Sequence, residues 1–287
     1  MAVSKQSRQY LRAARWIQER GIVYLALIAM GIIFILPFFW LVSTSLKPDD
    51  QLFKFPPIWI PKPMMWSNYP RALTYIPFWL YLKNTLIIAI PSTLGLLISS
   101  SVVAYGFSRI KWPGRDAVFF LAICTMMLPY QVTMIPLFIV FRNLGWVGTF
   151  KPLIIPSFFG GAFYIFLLRQ FYMTLPMELS DAARIDGCSE FGIYSRIILP
   201  LSKPALATVG LFSFMGHWND FLAPLIYLED DTKYTLALGL QQFQRQFGME
   251  WGMLMAMSVV ISLPIIVLFF FTQRTFVQGI ALTGMKG

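Results

Sequence analysis

Charge is almost absent from six long stretches of this 287-residue chain, and that blocking constrains its fold more than any other feature. Uncharged runs extend from Gly21 to Leu46, Asn84 to Ser108, Ala117 to Phe141, Pro152 to Leu168 and Trp251 to Gln273. A sixth, Pro204 to Leu228, holds only His217 and Asp220 as ionisable groups. A membrane-spanning helix needs roughly 20 apolar residues, and each run is near or beyond that length. A soluble protein with buried helices would show stripes of period 3.6 and a polar face, whereas these runs are apolar all round. The expectation is an all-α polytopic membrane protein with six transmembrane helices, at about 21–46, 84–108, 117–141, 152–171, 204–228 and 251–273. Residues 1–20 form an N-terminal segment, and 21–287 a single transmembrane domain with a segment at 47–83 and a polar loop at 174–203.

Lys and Arg collect on the cytoplasmic flanks of spans, which gives an orientation. Lys5, Arg8, Arg12, Arg15 and Arg20 precede the first run, Arg109, Lys111 and Arg115 crowd the link between the second and third, and Arg184, Arg196 and Lys203 lie between the fourth and fifth. In a six-span chain these regions share one side, which predicts cytoplasmic N- and C-termini and places 47–83 outside. The opposite side carries Arg142 and Lys151 in its short link, although Lys47, Lys54, Lys62, Arg71 and Lys83 fall in or beside the outer segment. The first run is too long for a cleaved secretory signal, and no small-residue cleavage site follows it, so it reads as an anchor. The net charge of +10 is then largely topology. A nucleic-acid binder would concentrate that charge in a soluble domain, and no segment is long enough to be one.

The outer segment is rich in Pro and Trp, which breaks long helices and seats rings at headgroup depth, so short pieces are expected there. Prolines also recur within the runs, at Pro37, Pro91, Pro129, Pro136, Pro156, Pro224 and Pro264. Each frees a backbone carbonyl that lipid cannot satisfy, which favours a bundle around a pathway over a lone anchor. No G-x-x-x-x-G-K-[ST] loop is present, so the chain cannot hydrolyse ATP in the P-loop manner. With one histidine and no C-x-x-C pair, a metal centre of the usual N/S type is not expected, and neither is a hydrolase site built on His217. Cys124 and Cys188 are not expected to pair. Ion-coupled transporters carry charged relay groups inside their spans, and here these are nearly missing, so the energy for any transport enters from another polypeptide.

The polar stretch "ELSDAARIDGCSEFGIYSRIILP", Glu178 to Pro200, stands apart from this apolar background. Thr174 and Pro176 suit the start of a helix, Glu178 and Asp181 favour its positive end, and Gly187 stops it. Ser189 can cap a second short helix with Glu190 in its first turn, and Pro200 interrupts the chain before the fifth run. Leu179, Ala182, Ala183 and Asp186 fall near one face, where two alanines permit close approach. On these residues alone the stretch serves equally as a docking knob or as a solvated linker.

The stretch resembles the EAA loop of permease subunits of ATP-binding cassette (ABC) importers: E-A-A, three residues and Gly, then nine residues and I-x-L-P. The matching positions are Asp181-Ala182-Ala183, Gly187, and Ile197, Leu199 and Pro200, with Asp186 before the glycine. Asp181 replaces the usual Glu, keeping the charge but with a shorter reach. Further stretches, "AYGFSRIKWPGRDAVFF", "MMLPYQVTMIPLFIVFRNLGW", "HWNDFLAPL" and "QRTFVQGIALTGMKG", are similar to the carbohydrate-uptake branch, in particular to the second, six-span permease of maltose-type importers. The resemblance implies a prokaryotic inner-membrane permease that is not itself an enzyme. Its implied partners are a second permease, an ATPase dimer carrying ATP and Mg, an extracytoplasmic sugar-binding protein and a sugar. It also implies that Glu178, Asp181, Ala182, Ala183, Asp186 and Gly187, with Ile197, Leu199 and Pro200, form a cytoplasmic coupling contact with the ATPase, and that the terminal "GMKG" approaches it.

A second polar cluster is "GHWNDFL", Gly216 to Leu222. Trp218 can stack on a sugar face while Asn219 and Asp220 hydrogen-bond its hydroxyls, with His217 beside them. The cluster can equally tie the fifth span to its neighbours, and this packing role is the stronger reading. Alternatives for the whole chain are an ABC permease for a polyol, glycerol phosphate or peptide, a self-sufficient secondary transporter or channel, and a membrane scaffold.

Overall fold

The computed structural model describes residues 5–245 and 248–284, with side chains for 20–244 and 248–273. The side chains of Lys5, Arg8, Arg12 and Arg15, and the tail after Gly284, fall outside this range. Contacts divide the chain into two units, Met1–Ala72 with Arg245–Val259, and Leu73–Gln244 with Val260–Gly287.

In the first unit, α1 (Lys5–Ser45) contains an apolar stretch from Arg20 to Ser45 long enough to cross a membrane, and its large apolar side chains from Ile22 to Phe39 all point outward. The proline-rich chain that follows makes a single 3-10 turn, Asp49–Gln51, and then folds back on the helix end. The Trp59 ring lies 5.2 Å edge-on to that of Trp40, and the Lys47 ammonium sits 3.7 Å from the same Trp40 ring. Asn68, the first residue of α2 (Asn68–Tyr75), donates to the Ser45 carbonyl at 2.9 Å and so satisfies an orphan carbonyl at the end of α1.

The second unit is built around α3 (Phe78–Arg109), a helix of 32 residues that packs on α7 (Ala162–Thr174) and α11 (Lys203–Trp218). Between these lie α4 (Arg115–Cys124), α5 (Tyr130–Asn143), the short α6 (Lys151–Ile154), α8 (Glu178–Ile185), α9 (Glu190–Ile193) and α10 (Leu199–Leu201). After α11 come α12 (Leu222–Tyr227), α13 (Leu236–Gly239) and the long α14 (Trp251–Gly284). Two-residue strands at Gln244–Arg245 and Gly248–Met249 are the only described β-structure. One buried cluster, including Leu96, Ala104, Leu168, Tyr172, Ile193, Ile198 and Val209, gathers α3, α7, α11 and the 178–201 region. Another, of Ile88, Phe141, Leu153, Tyr227 and Leu228, lies nearer the start of α3. At Gly95 the absent Cβ matters, because one built there would stand 2.6 Å from the Phe158 ring.

Among the described residues, four helices are long and apolar enough to cross a membrane, and the number reaches six when each of two bent pairs is taken as one span. The first pair bends by 97° between Arg115–Met127 and Tyr130–Asn143. There Leu128 is extended, as the residue before Pro129 must be. The second bends by 78° between Glu190–Leu201 and Lys203–Trp218, at Ser202 just ahead of Pro204. The apolar run 204–228 is further interrupted at 219–221, between α11 and α12, and the run 152–171 at Gly160 and Gly161, ahead of α7. The chain is thus an all-α polytopic membrane protein whose apolar runs are broken by short irregular turns, as their proline content allows.

Candidate functional site

The polar stretch folds as two short helices with a sharp turn. Its first helix, α8, begins at Glu178 after Met177, with no side-chain cap. Thr174, suited by type to open this helix, instead closes α7, its hydroxyl donating to the Phe171 carbonyl at 2.7 Å. At the far end, the Gly187 amide bonds the Arg184 carbonyl at 3.0 Å and the Cys188 amide the Ala183 carbonyl at 2.9 Å. This pair of bonds is the Schellman arrangement, which needs a left-handed residue between helix and exit. Gly187 supplies it with φ +78°, in open space where a Cβ would touch nothing. Ser189 then caps α9, its hydroxyl accepting from the Gly192 amide at 3.2 Å.

The face of α8 divides differently from its sequence spacing. Ala183 is buried in the protein's own core, and Ser180 beside it is fully buried. Ala182 and Asp186 are exposed, Leu179 is 40% and Ile185 87% exposed, and Phe191 on α9 is 74% exposed. The outward surface is therefore Leu179, Ala182, Ile185, Asp186 and Phe191, with Glu178 and Asp181 exposed at its acidic end. Ile185 and Phe191 were legible as apolar residues in a polar stretch but carry no motif spacing. Ile197 and Leu199 pack against the core cluster, within a π-helical turn at Tyr194–Ile198 and in α10, while Pro200 is exposed.

Charged and hydroxyl groups hold this pair of helices in place. Arg184 donates to Asp181 at 2.8 Å and, across the turn, to Glu190 at 2.8 and 3.4 Å. These partners, Glu190 foremost, raise the Arg184 pKa above its ordinary value. Tyr105 of α3 donates to the same Glu190 carboxylate at 2.6 Å. The hydroxyls of Tyr172 and Tyr194 lie 2.6 and 2.8 Å from that of Ser101. Arg109, 2% exposed at the end of α3, donates to the carbonyls of Tyr172, Leu175 and Pro176 at 2.6, 2.7 and 3.1 Å. It meets the orphan carbonyls where α7 ends, a position where a cation also suits the helix dipole.

The 216–222 cluster turns its polar groups on its own backbone. Trp218 is 2% exposed, donates from Nε1 to the Ile261 carbonyl of α14 at 3.1 Å and stacks on Phe214. Asn219 donates to the Met215 carbonyl at 2.9 Å and Asp220 accepts from the Ala223 amide at 3.2 Å, so each closes one side of the break between α11 and α12. His217 is half-buried near the end of α11. The indole is thus buried between Phe214 and α14. Among the described residues, no group of three His, Cys, Asp or Glu side chains is placed to hold a metal ion.

An all-helical membrane chain with interrupted spans and a braced two-helix knob between them has the form of a membrane transport subunit. The family of binding-protein-dependent transport system inner membrane components matches residues 93–282, and this chain belongs to it. It is 33% identical over 275 residues to the arabinooligosaccharides transport system permease protein AraQ of Halalkalibacterium halodurans, covering 95% of this chain and 96% of the relative. It is 34% identical over 266 residues to the protein of the same name from Bacillus subtilis, covering 90% and 92%. A chain in the crystal structure of a bacterial ABC transporter involved in import of the acidic polysaccharide alginate has the same fold, with TM-score 0.77, 24% identity and coverage of 96% of this chain and 99% of that one.

Proposed function

We propose that this protein is the permease subunit of an ATP-driven carbohydrate importer, contributing part of the translocation path and docking a separate ATPase through the 178–193 knob. The observation that carries this reading is the near full-length likeness to oligosaccharide transport permeases together with the exposed apolar side chains on a braced acidic loop. Exposed Leu179, Ile185 and Phe191 on short, fixed helices are what a docking partner buries. In this reading the N-terminus, the 178–193 knob and the C-terminus are cytoplasmic, and 47–83 lies outside. A second permease completes the path, an external sugar-binding protein delivers the solute, and ATP and Mg are held by the partner ATPase dimer. Closure of that dimer shifts the spans only if the knob is contacted differently in its two states.

The test is affinity isolation of the tagged chain from native membranes, followed by protein identification, an ATPase assay and uptake of a labelled arabinooligosaccharide by the reconstituted complex. Recovery of a P-loop ATPase with a second permease, and uptake that requires ATP, is the expected result. Recovery of the chain alone, with solute flux in the absence of any ATPase, overturns it in favour of a self-sufficient transporter.

A further inference from the structure

One face of α3 carries Ser101, Tyr105 and Arg109, spaced by four residues and therefore stacked one turn above the next. Each grips a different part of the knob or its supports. Arg109 holds the three carbonyls where the chain leaves α7 for α8. Tyr105 holds Glu190 at the start of α9, and through Arg184 the end of α8. Ser101 meets Tyr194 in the π-helical turn and Tyr172 in α7. Burial of the surrounding Ala104, Leu168, Ile193 and Ile198 already supplies the packing. Directional bonds between fixed partners add something packing does not, since they set one register of the knob against α3. On the other exit, the chain bends by 78° at Ser202 before α11.

We propose that the Ser101–Tyr105–Arg109 stripe makes α3 the span that moves as one body with the knob, and that Tyr105, Glu190 and Arg184 are the positioning residues of this link. The inference rests on the importer reading above. A push on α8 and α9 is delivered to α3 through these three successive turns.

The test uses the whole transporter in liposomes and reads labelled arabinooligosaccharide moved per ATP hydrolysed. Tyr105→Phe keeps the ring and its 5.3 Å contact with Tyr194 but removes the bond to Glu190. Glu190→Gln weakens the same link from the other side, at a half-exposed position where folding is less at risk. Each variant is expected to assemble with the ATPase and to lower the solute-per-ATP ratio by about tenfold or more, the scale of one hydrogen bond to a charged group. The double variant is expected to lose little more than Glu190→Gln alone. A purely structural role would lower the amount of complex without changing the ratio. An unchanged ratio in both single variants, or losses that multiply in the double, overturns the link while leaving the importer reading intact. Absence of any ATPase from the unaltered complex overturns both.

Discussion

The 178–193 knob and the 216–222 break are both polar islands between apolar helices, but they spend their polar groups in opposite ways. In the knob, Arg184 and Glu190 are tied to each other, Arg109 of α3 holds the carbonyls just before it, and Leu179, Ile185 and Phe191 are left facing outward. In the break, the indole is driven inward onto α14, and Asn219 and Asp220 are consumed by the helix ends beside them. The knob thus fixes its polar groups and leaves apolar side chains exposed. The break spends its polar groups on the nearest backbone.

The largest effect that would break this contrast if absent is expected at Gly187. A β-branched residue in the left-handed region costs at least roughly 1–2 kcal/mol, and Gly187 adopts φ +78° with no neighbour for a Cβ to strike. In Gly187→Val the strain falls on the turn alone, so the protein should reach the membrane in normal amount. A docking-competent conformer penalised by this much lowers ATP-driven uptake by about fivefold to thirtyfold. Normal uptake by Gly187→Val in proteoliposomes would remove the knob from the coupling path.

Next comes the division of the two alanines. Ala183→Leu forces three extra heavy atoms into the core around α3 and α7, and overpacking of this kind costs about 1–3 kcal/mol. It should lower the melting temperature of the purified protein. Ala182→Leu faces outward and should leave melting unchanged while lowering the amount of ATPase recovered with the complex. Equal behaviour of the two variants would mean that the exposed face of α8 is not the docking face.

Much of this was legible in the sequence and some of it was not, for a physical reason that recurs. Apolar blocking announced the membrane helices because burial in lipid demands it of every residue in a run. The turn of the knob was legible because Gly187 and Ser189 act locally, through their own backbone. Which alanine faces inward was not, since residues one apart on a helix differ by about 100° and only the packing partner decides between them. Tyr105 lies 85 residues before Glu190 and Arg109 63 before Tyr172, and their bonds exist only once α3 lies beside α9 and α7. The breaks at 128–129 and 202 had a proline as their signal, but so did Pro91 and Pro264, which sit inside continuous helices. Proline permits a break, and tertiary context chooses where.

A smaller effect is expected at Trp218. Trp218→Phe keeps a buried ring beside Phe214 and gives up the bond to the Ile261 carbonyl, at a cost of roughly 1–3 kcal/mol if that carbonyl is left unsatisfied. Thermal unfolding should report that loss, while the concentration of transported sugar giving half-maximal uptake stays where it was. A rise in that concentration with no change in melting would show that the indole contacts solute.

The smallest effect, and the one that sharpens the comparison most, is expected at Asp220. Its Oδ1 accepts from the Ala223 amide at 3.2 Å, a capping bond that an amide oxygen makes equally well. Asp220→Asn should therefore alter melting by no more than a few tenths of a kcal/mol and leave uptake unchanged. Asp220→Ala removes the acceptor and should cost about 1 kcal/mol, the usual worth of a helix cap. If the break is only a joint, the asparagine variant behaves as the parent and the alanine variant loses stability alone. If Asp220 receives sugar hydroxyls, both variants raise the half-maximal concentration for uptake, because a neutral amide is a weaker acceptor than a carboxylate. The order of these three proteins in uptake and in melting thus separates a cap from a solute contact at a single side chain, without disturbing the helices on either side.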